Sequence, residues 1–435
     1  MTDVACDVAV IGAGPAGLAA ATELRRRGIE KVLVLERDTA AGGRPRLCGH
    51  PPFGLREYGR VLSGPAYARR LTADALAAGV EIRLGHSVAA LRPGGRIDLM
   101  TPAGPAILSA RRVIVATGAR ETPRSALMVS GDRPAGIMTT GSFQAFVYGK
   151  GIVPFRRPLI VGSELVTLSA LMSCRTAGIE PVAMIEQRAR PLARWPLTLF
   201  PHLLRIPVHY GARIVDIEGR AQVESVTIAT ADGTMKKLAC DGVLFTGRFV
   251  PEASLVAESH LVFDRGSAGP SLDQFGRCSD PVYFAAGNVT RAVETAGRCF
   301  REGRQLARVI VEDLAARAPV TIVTVDLTTS GIVKYVVPQR LTIGAGRPAR
   351  INLQLRVDEP ATGTIEIASG ERVVVRRRLA AKPERRISLR LDLAALPPDA
   401  SALTVGMGGG PACTSGCGKA AKPGASKGNE PGISQ

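Results

Sequence analysis

The chain of 435 residues has no run approaching the ~18 consecutive apolar residues that a bilayer-spanning helix needs, so no transmembrane segment is expected. Ala5-Cys6-Asp7-Val8 leads directly into an apolar strand rather than a charged start followed by a secretion core, and a cytoplasmic location follows as the expectation. Cysteine is sparse and unpaired. Cys6, Cys48, Cys174, Cys240, Cys278, Cys299, Cys413 and Cys417 are scattered without any Cys-x-x-Cys spacing, and in a reducing compartment they read as free thiols. A single tryptophan among 48 glycines and 46% apolar residues describes a turn-rich globular protein rather than a disordered one. Acidic residues are under-represented, 38 against 56 Lys and Arg, which leaves a net charge of +18 spread along the chain with no dedicated basic arm. That charge suits anionic lipid or an acidic protein as well as a solvated surface; a nucleic-acid partner is not expected, and peripheral membrane contact stays open. The length suggests two to four domains.

The N-terminal region carries the first chemistry. An apolar run, Val8–Ile11, is followed by Gly12-Ala13-Gly14-Pro15-Ala16-Gly17, a helix-compatible stretch Leu18–Arg27, and a second strand Val32–Leu35 ending in Glu36. This is a Gly-x-Gly-x-x-Gly dinucleotide fingerprint in strand, turn, helix, strand context. Gly12 permits the tight turn, Gly14 lets the backbone approach a pyrophosphate, and Gly17 allows helix and strand to pack closely. The helix start with Pro15 and Ala16 offers free amides to phosphates, and Glu36 can accept from a ribose diol.

The residues that follow decide between dinucleotides. Arg37 and then Gly42-Gly43-Arg44 resemble the Gly-Gly signature of FAD-binding flavoproteins of the glutathione reductase-like superfamily; Val113–Gly118, with Ala116-Thr117-Gly118, resembles its Ala-Thr-Gly strand end. Pro281–Asn288 is similar to its last FAD motif, with Asn288 after Gly287 where the superfamily carries Asp. An amide can still hydrogen-bond a ribityl hydroxyl while removing a negative charge near the flavin. The helix opening near Thr295 and Ala296 would direct amides at the flavin C2 carbonyl. The resemblance thus implies FAD, held by these residues.

The pattern repeats from Pro158–Gly162 through a helix-like Leu165–Ala177 to a strand Val182–Ile185 ending in Glu186, and Val243–Arg248 echoes the second glycine strand end. The expected fold is α/β, with two Rossmann-like dinucleotide-binding domains, the second inserted in the first, and a small C-terminal all-β sandwich. The boundaries are 1–125 with 251–318 for the FAD domain, 126–250 for the inserted NAD(P)-binding-like domain, 319–406 for the sandwich, and 407–435 for a disordered tail. The second loop, Gly162-Ser163-Glu164-Leu165-Val166-Thr167, places Glu164 and Thr167 where glycines belong. A carboxylate at that helix start argues against ordinary NAD(P) binding, whether it occupies the pyrophosphate position or caps its own helix. Glu186 keeps NAD(P) or another adenine nucleotide open.

Disulfide reductases of the superfamily keep paired cysteines beside the flavin, and neither of their arrangements occurs here. Cys48 stands alone in Arg44–Phe53, a segment that by analogy runs near the isoalloxazine, so Cys48, His50 and Arg46 are the catalytic candidates: His50 as a proton donor, Arg44 or Arg46 as stabilisers of anionic flavin. No metal site is expected, because Cys413 and Cys417 lack companion ligands. Arg133–Gln144 resembles the linker found in the A subunit of opine oxidase, the B subunit of hydrogen cyanide synthase and the α subunits of sarcosine oxidase and dye-linked proline dehydrogenase. That resemblance, over about residues 5–316, implies a flavoprotein subunit working with a second flavoprotein dehydrogenase that oxidises a small amine, amino acid or hydroxy acid. Two other readings stand next to it: a free-standing NAD(P)H-dependent reductase of a small redox protein, and a non-catalytic FAD-containing scaffold. An oligomer is expected. From Val320 six or seven short alternating strands suggest the β-sandwich, with Arg376, Arg378, Arg385, Arg386 and Arg390 on its exposed face.

Overall fold

The computed structural model of the chain describes residues 3–193, 195–316, 323–344, 350–383 and 385–408. The expected tail beyond 408, with Cys413 and Cys417, lies outside the described residues. The architecture is mixed α/β with a C-terminal all-β unit. The first sheet is seven-stranded. Asp3–Ile11 lies between Val32–Glu36 and the long strand Gly104–Val115, and all three run parallel. Gly104–Val115 pairs along its first half with the antiparallel strand Arg96–Thr101 and at its end with the parallel strand Tyr283–Ala285. The apolar runs on these central strands are buried on both faces, as parallel sheets require.

Three helices cover one face, among them Gly64–Ala77, whose Tyr67, Leu71 and Ala75 enter the shared core. Pro15–Arg26 begins with proline at its first turn, where a missing N–H costs nothing, and Ala296–Leu314 closes the domain. Leu18, Ala20, Ala21 and Leu24 of the first share a core with Leu306, Ala307 and Ile310 of the second. Their contact is close because it is made by glycine: a Cβ on Gly303 would sit 2.1 Å from the Ala16 carbonyl oxygen.

The inserted unit repeats the parallel design in five strands, Val208–Tyr210, Ala183–Glu186, Pro158–Val161, Gly242–Phe245 and Ile137–Thr139 in spatial order. An antiparallel ribbon, Ala119–Glu121 against Phe249–Pro251, carries the chain out of the first unit and back.

The C-terminal unit contains eight strands among the described residues, in sheets of five and three. Leu353, Leu355, Ile365, Leu389, Leu391 and Leu403 fill the space between them. The strands Arg340–Ile343 and Ala402–Gly408 join the six segments that alternation suggests. Two glutamines fasten this unit to the FAD domain. Gln339 accepts the Leu272 N–H at 3.0 Å and donates to Asp264 at 2.9 Å; Gln274 accepts the Thr342 N–H at 2.9 Å and donates to its carbonyl at 2.6 Å. No helix among the described residues is long and apolar enough to cross a membrane.

Glu23, buried on the first helix, gathers Arg27 at 2.8 Å, Arg304 at 3.0 Å and Arg308 at 3.5 Å. Burial opposes its ionisation, but the hydrogen bonds and charges of Arg27 and Arg304 outweigh burial and hold its pKa below 4.5. A depressed folded pKa gives stability that is present above the unfolded value and lost as pH falls through the folded one. Glu23→Gln is therefore expected to cost about 1–3 kcal/mol at neutral pH and to flatten the loss of stability below pH ~4.5, read from melting temperature against pH.

Candidate functional site

The first glycine loop is built by steric necessity. Gly12 has φ +104°, and a Cβ there would lie 2.6 Å from the Ala116 carbonyl oxygen; a Cβ on Gly17 would meet the Gly12 oxygen at 2.0 Å. Gly14 differs, because it is extended and a Cβ on it would meet no protein atom within 4 Å. The opening beside Gly14 faces a helix start with no side-chain cap, so the free amides and the positive end of the helix dipole are directed at one place. Glu36 is fixed at the strand end next to it, accepting the Ala13 N–H at 2.9 Å and the Asp38 N–H at 3.0 Å. Gly43 folds the next turn onto Gly14, whose Cα would be 2.8 Å from a Gly43 Cβ, and Arg44 follows directly. Gly118 and Gly287 also take positive φ, and Gly287 packs on Ala16. This donor set fits a dinucleotide pyrophosphate at Gly14 and a ribose at Glu36.

Asn288 binds the backbone on both sides of its amide, donating to the Glu294 carbonyl at 3.1 Å and accepting the Glu294 N–H at 2.6 Å. It shapes the loop before the final helix, and a ribityl hydroxyl would share those groups. The helix itself starts at Ala296, and its N-cap Thr295 makes no side-chain capping bond.

The segment Arg44–Phe53 bridges the two nucleotide-type units. Arg46 pairs with Asp38, and Arg44 and Glu121 flank Gly141, whose N–H Glu121 accepts at 2.5 Å. Burial raises the Glu121 pKa in spite of that amide and the neighbouring Arg44. Cys48 Sγ lies 3.5 Å from Gln144 Oε1, and His50 Nε2 lies 2.5 Å from Ser169 Oγ, which also accepts from Gln144 Nε2 at 2.8 Å. Burial pushes the Cys48 thiol up to about 11, against the pull of Arg44, so at neutral pH it is a thiol rather than a nucleophilic thiolate. Ser169 and Glu121 belong to no motif. A serine inside the largely apolar helix Leu165–Thr176 gives no signal until the fold sets it against His50.

In the inserted unit Gly162 keeps its role, with φ +118° and Thr246 packed where a Cβ would be. Glu164 does not cap its own helix. It is buried, and its carboxylate crosses to the opposite strand end, accepts the Arg248 N–H at 3.1 Å, and lies so close to Gly247 that a Cβ there would be 2.1 Å from its Cδ. Thr167, in the third glycine position, hydrogen-bonds Thr246 at 2.7 Å. Glu186 receives Ser163 Oγ at 2.5 Å and the Arg188 N–H at 2.9 Å, and Leu192 and Ala193 donate to the Ser163 hydroxyl and carbonyl. A carboxylate and a folded-over segment thus occupy the positions where a second dinucleotide would need open backbone. These residues do not fit NAD(P) in the ordinary mode.

Residues 6–303 match the pyridine nucleotide-disulphide oxidoreductase family, and the chain belongs to it. It is an FAD-dependent oxidoreductase of the two-dinucleotide-domain class, and the donor set of its first loop fits FAD. It is 26% identical to the A subunit of opine oxidase from Agrobacterium tumefaciens (strain Ach5), over 67% of this chain and 64% of that protein. It is also 26% identical to the sarcosine oxidase alpha subunit of Rhizobium meliloti (strain 1021), over 74% of this chain and 32% of that protein. The chain therefore spans 64% and 32% of these two relatives' lengths. A solved structure of T. acidophilum thioredoxin reductase superposes with TM-score 0.61 and 24% identity, over 72% of this chain and 99% of that one, and shows the shared fold.

Gly14→Val tests the pyrophosphate placement. Its backbone is extended and a Cβ there meets no protein atom within 4 Å, so the variant should fold within about 1 kcal/mol of the parent and yet purify without the flavin absorbance near ~450 nm. A yellow Gly14→Val protein would move the pyrophosphate elsewhere.

Proposed function

We propose that the chain is an electron-transferring flavoprotein subunit that works with a separate dehydrogenase oxidising a small amine, amino acid or hydroxy acid. The single observation that carries this reading is the Glu164 carboxylate, seated on Gly247 and bonded to the Arg248 amide in the loop an NAD(P)H-driven reductase would keep clear. Two further observations support it: no cysteine pair stands near Cys48, so a disulfide relay has no second thiol there, and relatives are named as subunits of oxidases.

Bound FAD supplies a two-electron acceptor that can hand electrons on singly or in pairs. The protein's own part is positional and electrostatic. Gly12, Gly14 and Gly17 would hold the pyrophosphate against the helix start, and Glu36 would orient the ribose. The uncapped amides at Ala296 place partial positive charge where negative charge develops. Arg44 and Arg46, the second paired with Asp38, add cationic charge in the turn that follows Gly43. His50, held by Ser169, is the side chain proposed to pass a proton, and Cys48, kept protonated, acts through packing and its bond to Gln144.

Anaerobic addition of NADH and of NADPH to the yellow protein should leave the absorbance near ~450 nm unchanged, and protein purified at native level should bring a stoichiometric dehydrogenase with it. Prompt bleaching by either nucleotide would replace this reading with that of a free-standing reductase.

A further inference from the structure

Between the final helix of the FAD domain and the C-terminal sandwich lies an open cleft of about 770 Å³, within the size range of small-molecule sites. Its walls converge from three elements. Arg298 and Arg301 come from the helix, Arg376 and Arg377 from the strand Arg372–Ala381, and Arg386 and Arg390 from the link into and the body of the strand Ile387–Asp392. Both strands are the outermost of their sheets, so the cleft opens at an edge of the sandwich. A smaller cleft of about 180 Å³ shares Arg301 and continues along the helix.

The positive charge in this cleft is largely uncompensated. The one carboxylate in its lining, Glu302, is engaged with the buried Arg291 and accepts the Gly287 N–H at 3.3 Å. Arg298 and Arg386 share a single carboxylate, Glu294, at 3.5 and 3.8 Å, and Arg376 has Glu366 at 2.7 Å. Among the described residues, Arg301, Arg377 and Arg390 have no carboxylate partner; Arg377 donates only to the Ser388 carbonyl, at 3.1 Å. Packing like charges around a shared concavity costs free energy unless an anion enters. Every cation is arginine, whose planar fork binds phosphate or carboxylate oxygens in pairs.

The rest of the lining narrows the occupant. Only Val375 and Leu389 are apolar, so the cleft lacks the large anchors on which protein interfaces depend. It also has no aromatic ring on which a nucleobase would stack. We propose that this cleft is a binding site for a compact polyanion of the oligophosphate class, which bridges the FAD domain's last helix and the sandwich and fixes one on the other. The cleft is lined by none of the residues proposed to hold FAD, although Glu302 in its wall bonds to Gly287, and it does not depend on which electron donor the protein uses.

Calorimetric titration of the FAD-loaded full chain with inorganic tripolyphosphate in ~0.15 M salt tests it. The expected result is one molecule bound per chain, with a raised melting temperature, and affinity falling about 10-fold or more in each of Arg301→Glu and Arg390→Glu. Both side chains are exposed, so the variants should keep their flavin absorbance, and Arg220→Glu, exposed on the inserted domain, should bind as the parent does. Absence of saturable binding, or equal affinity in the parent and the two cleft variants, would overturn the proposal. So would tighter binding of a ten-residue glutamate peptide than of tripolyphosphate with the same dependence on Arg301 and Arg390, since that would make the cleft an acidic-protein dock.

Discussion

Close approach of bare backbone is the constraint on which the rest of the FAD domain rests. Gly17 lies over the Gly12 carbonyl, Gly303 over the Ala16 carbonyl, and Gly287 against the Ala16 methyl, so that at these points two helices and the end of a parallel sheet approach to backbone distance. A methyl group at Gly17 or Gly303 would force these elements apart. The same contacts set the starts of two helices beside the first glycine loop, where the proposed cofactor would lie. Fold and cofactor site are therefore one packing solution, and Glu23, which ties Arg304 and Arg308 of the last helix to the first, fastens it from behind.

The inserted domain shows how far that design can be changed without loss of the fold. Its sheet order and its first glycine are retained, while the second and third glycine positions are given to Glu164 and Thr167. Both side chains are satisfied across the loop, by Arg248 N–H and by Thr246. The carboxylate takes over a backbone donor at the opposite strand end, and the loop becomes a structural joint. The cost of burying the Glu164 carboxyl is met by its hydrogen bond from the Arg248 N–H.

Much of this was legible in the sequence because the determinants are local. The order strand, Gly-x-Gly-x-x-Gly, helix, strand, acid fixes the first site from adjacent residues, and alternation marks most of the sandwich strands. Glu164 could be seen to stand in the wrong place for NAD(P), but the direction of its side chain depends on Arg248, far along the chain. The same limit applies to Ser169, which meets His50 only through tertiary packing, and to the strand Arg340–Ile343, whose four residues are too few for a period. The arginine cleft has the most distributed origin of all. Its residues come from a helix and two strands that share no motif, and the exposed-face reading captured some of them, Arg376, Arg386 and Arg390, without the helix that makes the face a cleft.

The one tryptophan has an optical consequence. Trp195 is 78% exposed and stands two residues beyond Ala193, whose N–H, with that of Leu192, holds the segment 188–193 to Ser163 of the second glycine loop. All indole emission from this protein therefore originates beside that segment. Its intensity and wavelength, and energy transfer from it to the flavin, give an intrinsic signal for any lifting of the segment from the loop, free of background from a second indole and without a label.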